Sequence, residues 1–164
     1  MFRNCAFTLT AVFIAATPVM AQEAVRPAAN IEALFTDPDP VLNTNKQVAY
    51  FIEKDLLQGG HWEDAGKYLT DRYIQHNPNA ASGLKGVVEF FLRMRKAAPG
   101  PVPPKLTVPV VSVVAQGDLV IVTSARTLPD PKESGKTYTT TWFDMWRIKD
   151  GKADEHWDPA TKNP

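Results

Sequence analysis

The chain of 164 residues has a single cysteine, Cys5, close to its start. The body of the chain therefore offers no disulfide, no thiolate nucleophile and no cysteine-ligated metal centre. Neither charge is in excess: 18 Lys and Arg face 18 Asp and Glu. So even a balance gives no support for binding nucleic acid or an anionic membrane surface. No apolar run approaches the roughly 20 residues that span a bilayer. Glycine-rich phosphate loops, H-E-x-x-H pairs and G-x-S-x-G elbows are missing too. The serines, Ser82, Ser112, Ser124 and Ser134, stand outside any such setting. The three histidines, His61, His76 and His156, lie far apart. Their spacing makes no metal motif, so neither a metal nor another cofactor is expected.

What is present begins with an export signal. Arg3 precedes the apolar run 6–16, and Val19 and Ala21 supply small residues before a cleavage point. That is the layout of a secretory signal peptide. Residues 1–21 are read as that peptide, and its removal takes Cys5 with it. Residues 22–42, with Pro27, Pro38 and Pro40, read as an arm or tether with a short helical turn at 31–35. Residues 43–164 form one domain, expected to be periplasmic or secreted, with no integral membrane segment once the signal is cleaved.

The domain opens with helices. Thr44 and Gln47 outline a capping box, and Val48, Ile52 and Leu56 recur every four residues with Phe51 beside them. Gly59-Gly60 ends that helix. A second, short helix is expected over 61–69, with Trp62, Ala65 and Leu69 on one side. Tyr73 to His76 reads as extended and runs into the Asn77-Pro78 turn. Ser82 is expected to cap a third helix reaching about Lys96, with Val87, Val88, Phe91 and Leu92 buried. Arg93, Arg95 and Lys96 sit where positive charge suits a helix C-terminus. Pro99, Pro101, Pro103 and Pro104 forbid continuation.

Strands follow. Leu106, Val108 and Val110 alternate, with Pro109 marking an edge or bulge. Residues 119–126 are β-branched and short, and 137–148 are rich in Thr and aromatics. Asp150-Gly151 signals a hairpin, with 153–157 returning. Helices first and strands afterwards give an α+β class, with a sheet curving around helices and leaving a pocket between them.

The hairpin admits two registers. A plain two-residue loop pairs Met145 with His156 and puts Asp144 and His156 on opposite faces. One extra residue, as in a bulge at Gly151, pairs Trp146 with His156. Asp144, Trp146, His156 and Asp158 then share a face. A hairpin with one solvated face, and a polar loop at 73–78, are the plain alternatives to a site.

The stretches YIQHNP (73–78) and FDMWRIKDGKADEHWD (143–158), with Gly83 between them, resemble the SnoaL-like polyketide cyclase family. The resemblance covers about residues 43–160. It implies the nuclear transport factor 2-like fold: a cone-shaped α+β domain in which three N-terminal helices pack on a curved, mostly antiparallel sheet. It also implies an apolar pocket at the wide end and a homodimer through the sheet. Cofactor-free aldol chemistry in that family uses an acidic residue. The resemblance assigns this acid/base role to Asp158 and an assisting role to His156. Asp144-x-x-Arg147 resembles the strand of ketosteroid isomerases on the same fold and implies a hydrogen-bond donor to an oxyanion at Asp144. His76 is placed at the pocket edge, and Trp62, Phe91 and Trp146 form its wall.

Three functions are carried forward. The first is an extracytoplasmic enzyme that removes a proton beside a carbonyl, with an aldol-type, isomerase or cyclase outcome. The second is a non-catalytic module that binds an apolar small ligand. The third is a dimerisation domain with a filled pocket. Cleavage after Ala21 makes Gln22 the first residue of the exported protein. Intact mass checks this, and retention of Arg3 in extracytoplasmic material would overturn it.

Overall fold

The computed structural model describes residues 23–95 and 98–162. The expected signal peptide, 1–21, lies outside the described residues, as does Lys96 at the expected end of the third helix. Among the described residues no helix is long and apolar enough to cross a membrane.

The segment expected as an arm is tied down. Asn30 caps the short helix α1, Ile31–Leu34, by accepting from Ala33 N–H, and Phe35 is fully buried. Ala28 N–H donates to the Val110 carbonyl at 2.8 Å. Helix α2, Pro40–Phe51, starts four residues before the expected Thr44 cap. The Asp39 carboxylate accepts from the N–H groups of Val41 and Leu42. Pro40 follows at a position where its ring is pre-set and no N–H is missed. Thr44 sits inside the helix, and its hydroxyl donates to the Pro40 carbonyl.

After Phe51 the helix widens into a π-helical segment, Ile52–Gln58, and the chain leaves it through Gly59 and Gly60, the latter at φ 74°. Five consecutive residues, Ile52 to Leu56, are buried there. One amphipathic stripe cannot do this, and different surroundings take each residue. Ile52 and Leu56 join the hydrophobic core. The Asp55 carboxylate meets Lys54 at 2.6 Å and accepts from the Tyr68 hydroxyl. Glu53 faces a cavity.

A 3-10 helix, Trp62–Lys67, buries Trp62 and Ala65. Leu69, expected at its end, instead opens strand β1, Leu69–Gln75. Helix α3, Leu84–Met94, is preceded by Gly83 at φ 87°, a conformation that suits a residue with no Cβ. Ser82 is not its cap: the Ser82 hydroxyl accepts from Gln75 N–H. Strands β2 (Val110–Gln116), β3 (Leu119–Pro129), β4 (Thr137–Lys149) and β5 (Lys152–Trp157) complete the fold. The sheet order is β1-β5-β4-β3-β2, parallel between β1 and β5 and antiparallel elsewhere. The architecture is α+β, with the helices and an open, curved five-stranded sheet enclosing one core.

The hairpin resolves the register question. Asp150 and Gly151 both have positive φ, 51° and 74°, as a type I′ turn requires. The strands leave it with Ile148 opposite Ala153 and continue with Arg147 opposite Glu155 and Trp146 opposite His156. Asp154 is the extra residue. The shared-face register is therefore adopted, with the bulge at Asp154 and not at Gly151. Asp154 is 2% exposed. Its carboxylate accepts from Thr70 Oγ1 at 2.7 Å and from Arg72, whose Nη2 lies 2.6 Å away. Hydrogen bonding from Arg72, then from Thr70, outweighs burial and holds this carboxyl below its usual range. Asp154→Ala leaves the bulge without its clamp, so the Tm should fall by about 4–8 °C. Thermal unfolding measures this, and an unchanged Tm would show that the clamp does not hold the register.

Candidate active site

With the register set, one face of three neighbouring strands carries the site. Tyr73 and Gln75 alternate inward on β1, His156 on β5, and Asp144 and Trp146 on β4. They line a cavity of about 520 Å³ together with Glu53, Asn77, Asp158 and apolar walls. Trp62 and Phe91 form one wall as parallel rings 3.7 Å apart. Trp146 is 1% exposed, and its indole N–H donates to the Tyr73 hydroxyl at 3.1 Å. Trp142 lines the cavity from β4, with the Arg126 guanidinium over its ring at 4.8 Å.

The polar floor is a chain of contacts. His156 Nδ1 lies 2.8 Å from Gln75 Oε1, and His156 Nε2 lies 3.0 Å from Asp144 Oδ1. The same Gln75 oxygen accepts from the Asn77 backbone N–H, which fixes the orientation of the amide. Gln75 is therefore an acceptor toward His156, and Nδ1 carries a proton. A carboxylate oxygen facing Nε2 at 3.0 Å then needs a second proton between them. His156 and Asp144 share it. Asp158 is half-buried, and its two oxygens accept from Asn77 Nδ2 and from Ala160 N–H. One ligating atom from each of Asp144, His156 and Asp158 lies within 4.8 Å of the others. The trio could ligate a cation, but hydrogen bonds within the site already engage all three side chains.

Several sequence expectations meet here. Asp144, His156, Asp158, Trp146, Trp62 and Phe91 all line the cavity. His76, expected at the pocket edge, is not a lining residue. Strand alternation turns it away from Gln75, and its ring stacks on Trp157 at 5.0 Å while Nε2 meets Glu155 at 2.8 Å. Asp144, expected as a neutral donor to an oxyanion, points its Oδ1 at His156. Among the lining residues that the sequence reading did not place in the site are Glu53, Tyr73 and Gln75. The period of two in 73–77 already put Tyr73, Gln75 and Asn77 on the face opposite His76. Glu53 stands four residues after Ala49, inside the buried face of the helix.

Electrostatically, Glu53 is the outlying group. It is 3% exposed, and its Oε1 has no hydrogen-bond partner among the described residues. Burial first, then the nearby Asp144 charge, pushes its carboxyl up to about 8, with Arg126 opposing. Burial likewise raises the Tyr73 phenol.

The SnoaL-like domain profile matches residues 48–156. The chain belongs to the SnoaL-like family. Solved structures agree on the fold. A candidate SnoaL-like polyketide cyclase from Jannaschia sp. CCS1 is 18% identical, covering 76% of this chain and 91% of its own, with a TM-score of 0.54. A candidate polyketide cyclase from Acidithiobacillus ferrooxidans is also 18% identical, covering 70% and 86%, with a TM-score of 0.50. TerC, co-crystallised with polyporic acid, is 18% identical over 72% and 92%, with a TM-score of 0.50. Among curated proteins none matches. Membership in this SnoaL-like group suggests small-molecule cyclase or isomerase chemistry, and identities this low carry fold and not substrate.

The pH dependence of stability reports on Glu53. Its folded value, about 8, lies above the ordinary 4.5. Between those values the folded chain keeps a proton that the unfolded chain has released. Stability therefore falls as pH rises through that window, by about 1.4 kcal/mol per pH unit, and levels off above it. Asp37, Asp154 and Glu155 are lowered instead, so their contributions are lost only on acidification. The wild-type minus Glu53→Gln difference in denaturant midpoints should show the slope, and parallel pH profiles would contradict it.

Proposed function

We propose that this SnoaL-like chain is an exported small-molecule enzyme. It uses cofactor-free general acid/base chemistry beside a carbonyl group, with an aldol-type, isomerase or cyclase outcome. The observation that carries this reading is the convergence of Asp158, His156 and Asp144 within 4.8 Å at the polar floor of an aromatic-walled cavity. Asp158 acts as the base. Two hydrogen bonds orient its carboxylate and leave lone pairs for a substrate proton. A C–H bond beside the carbonyl breaks, its proton goes to Asp158, and its electron pair forms an enolate. The enolate either attacks a second carbonyl within the same molecule, whose new alkoxide takes the proton back from Asp158, or takes that proton back at another carbon. Nothing is consumed. The His156–Asp144 pair, with its shared proton, sets a fixed dipole beside the developing charge.

The wall of Trp62 and Phe91 would also suit a carrier that binds an apolar ligand without turning it over. One assay separates the two readings: exchange of the α-protons of 2-tetralone for deuterium in D2O, followed by proton NMR. The enzyme reading expects exchange above buffer, reduced about 10²–10⁴-fold in Asp158→Asn and less in His156→Ala. Binding of 2-tetralone with no exchange by wild type would favour the carrier, and normal exchange by Asp158→Asn would remove the assignment of the base.

The proposal includes a homodimer through the outer sheet face, where Val114 is 56% and Phe143 46% exposed. A patch of roughly 800 Å² per partner suffices for a stable pair. Light scattering should give twice the mass of one chain, and Phe143→Glu should halve it. A single-chain mass for wild type at micromolar concentration would exclude the dimer.

A further inference from the structure

The π-helical segment places one carboxyl group where the proposed chemistry has not yet used it. Glu53 is buried, lines the cavity and makes no ion pair among the described residues, while its Oε1 lacks any hydrogen-bond partner. Its neighbours do not supply one. Lys54, the next residue, is taken by Asp55 and the Pro103 carbonyl. Arg126 keeps its guanidinium over Trp142. Asp144 is engaged with His156, and Asp158 with Asn77 and Ala160. Leaving a buried polar group unpaired costs about 1–3 kcal/mol, and a carboxyl that lines the cavity while its neighbours are engaged elsewhere points to a partner that arrives from outside.

We infer that Glu53 is the hydrogen-bond donor to the ligand, presenting a neutral carboxyl to the carbonyl oxygen of a planar, apolar ketone. The inference rests on the acid/base reading for its place in the reaction, but the binding contact stands without it. The anionic side of the cavity makes the protonation state intelligible. A second negative charge beside Asp144 is disfavoured in surroundings with little water. A neutral carboxyl has one O–H, and the approaching carbonyl is an acceptor without a proton of its own. The bond strengthens as charge moves onto the oxygen during enolate formation. Glu53 therefore fills the oxyanion-donor role that the strand motif suggested for Asp144. It also sets ligand class: a carbonyl oxygen is accepted at this end, and a carboxylate is repelled by Asp158.

The probes are 2-tetralone and its hydrocarbon counterpart tetralin, titrated against the fluorescence of the pocket tryptophans. The quantity read is the ratio of their dissociation constants, which cancels the shared hydrophobic part. From wild type to Glu53→Leu, the preference for the ketone should fall about tenfold, the worth of one buried hydrogen bond. Glu53→Gln keeps an N–H donor and should retain most of it. Circular dichroism confirms that each variant is folded; Leu at an apolar site is not expected to unfold the chain. Asp158→Asn should lose deuterium exchange and keep the ketone preference, so failure of the acid/base reading shows in exchange alone. A preference that survives Glu53→Leu overturns the inference, as does wild type that binds neither probe.

Discussion

Everything in the site depends on one buried carboxylate that takes no part in the chemistry. Asp154 occupies the bulge of β5, and its grip on Thr70 and Arg72 of β1 fixes where the strand changes register. A strand shows alternate side chains to alternate faces, so a one-residue slip exchanges them all. With Asp154 inserted, His156 stands beside Trp146 and Gln75 and faces the cavity. Without the bulge, Glu155 would stand opposite Trp146 and His156 opposite Met145, and the imidazole would turn to the outer face. β1 shifts its own pairing with β5 over the same stretch, so the two irregularities accommodate each other.

The site's electrostatics follow from enclosure. Gln75 is held by a backbone N–H and so can only accept from His156, which places one proton on Nδ1 and another between Nε2 and Asp144. Asp144 is thereby committed to His156. Asp158, at the less buried end, keeps polar partners and remains suited to carry charge. Glu53, at the most enclosed position, has an Oε1 with no partner among the described residues and is driven toward its neutral form. Three carboxyl groups in one cavity thus sit in three different settings because their surroundings differ.

Much of this was legible in the residue order. The α+β class, the hairpin at Asp150-Gly151 and the trio Asp144, His156 and Asp158 follow from turn chemistry, alternation and a specific motif. The start of α2 was misread because Thr44 and Gln47 mimic a capping box. Asp39-Pro40 is the stronger signal, since it combines a carboxylate cap with a ring already bent for a helix. His76 was misplaced because the motif drew attention to it, although alternation from Tyr73 sends it outward to Trp157. Glu53 was passed over because a charged residue in a helix is ordinarily solvated.

The sequence by itself determined the periodicities, the turn and the chemical types available: no cysteine in the body, few histidines, and carboxylates clustered near the C-terminal hairpin. These are local properties, decided by backbone sterics and side-chain patterning within a few residues. Tertiary structure alone decided which alternative register was used and where its bulge lay, because Thr70 and Arg72 are more than 80 residues from Asp154. It alone left Glu53 Oε1 without a partner among the described residues, since that depends on β3, β4 and the π-helical segment closing around one cavity. Hydrogen bonds and desolvation are set by distance in space, and distance in space is not written in sequence separation.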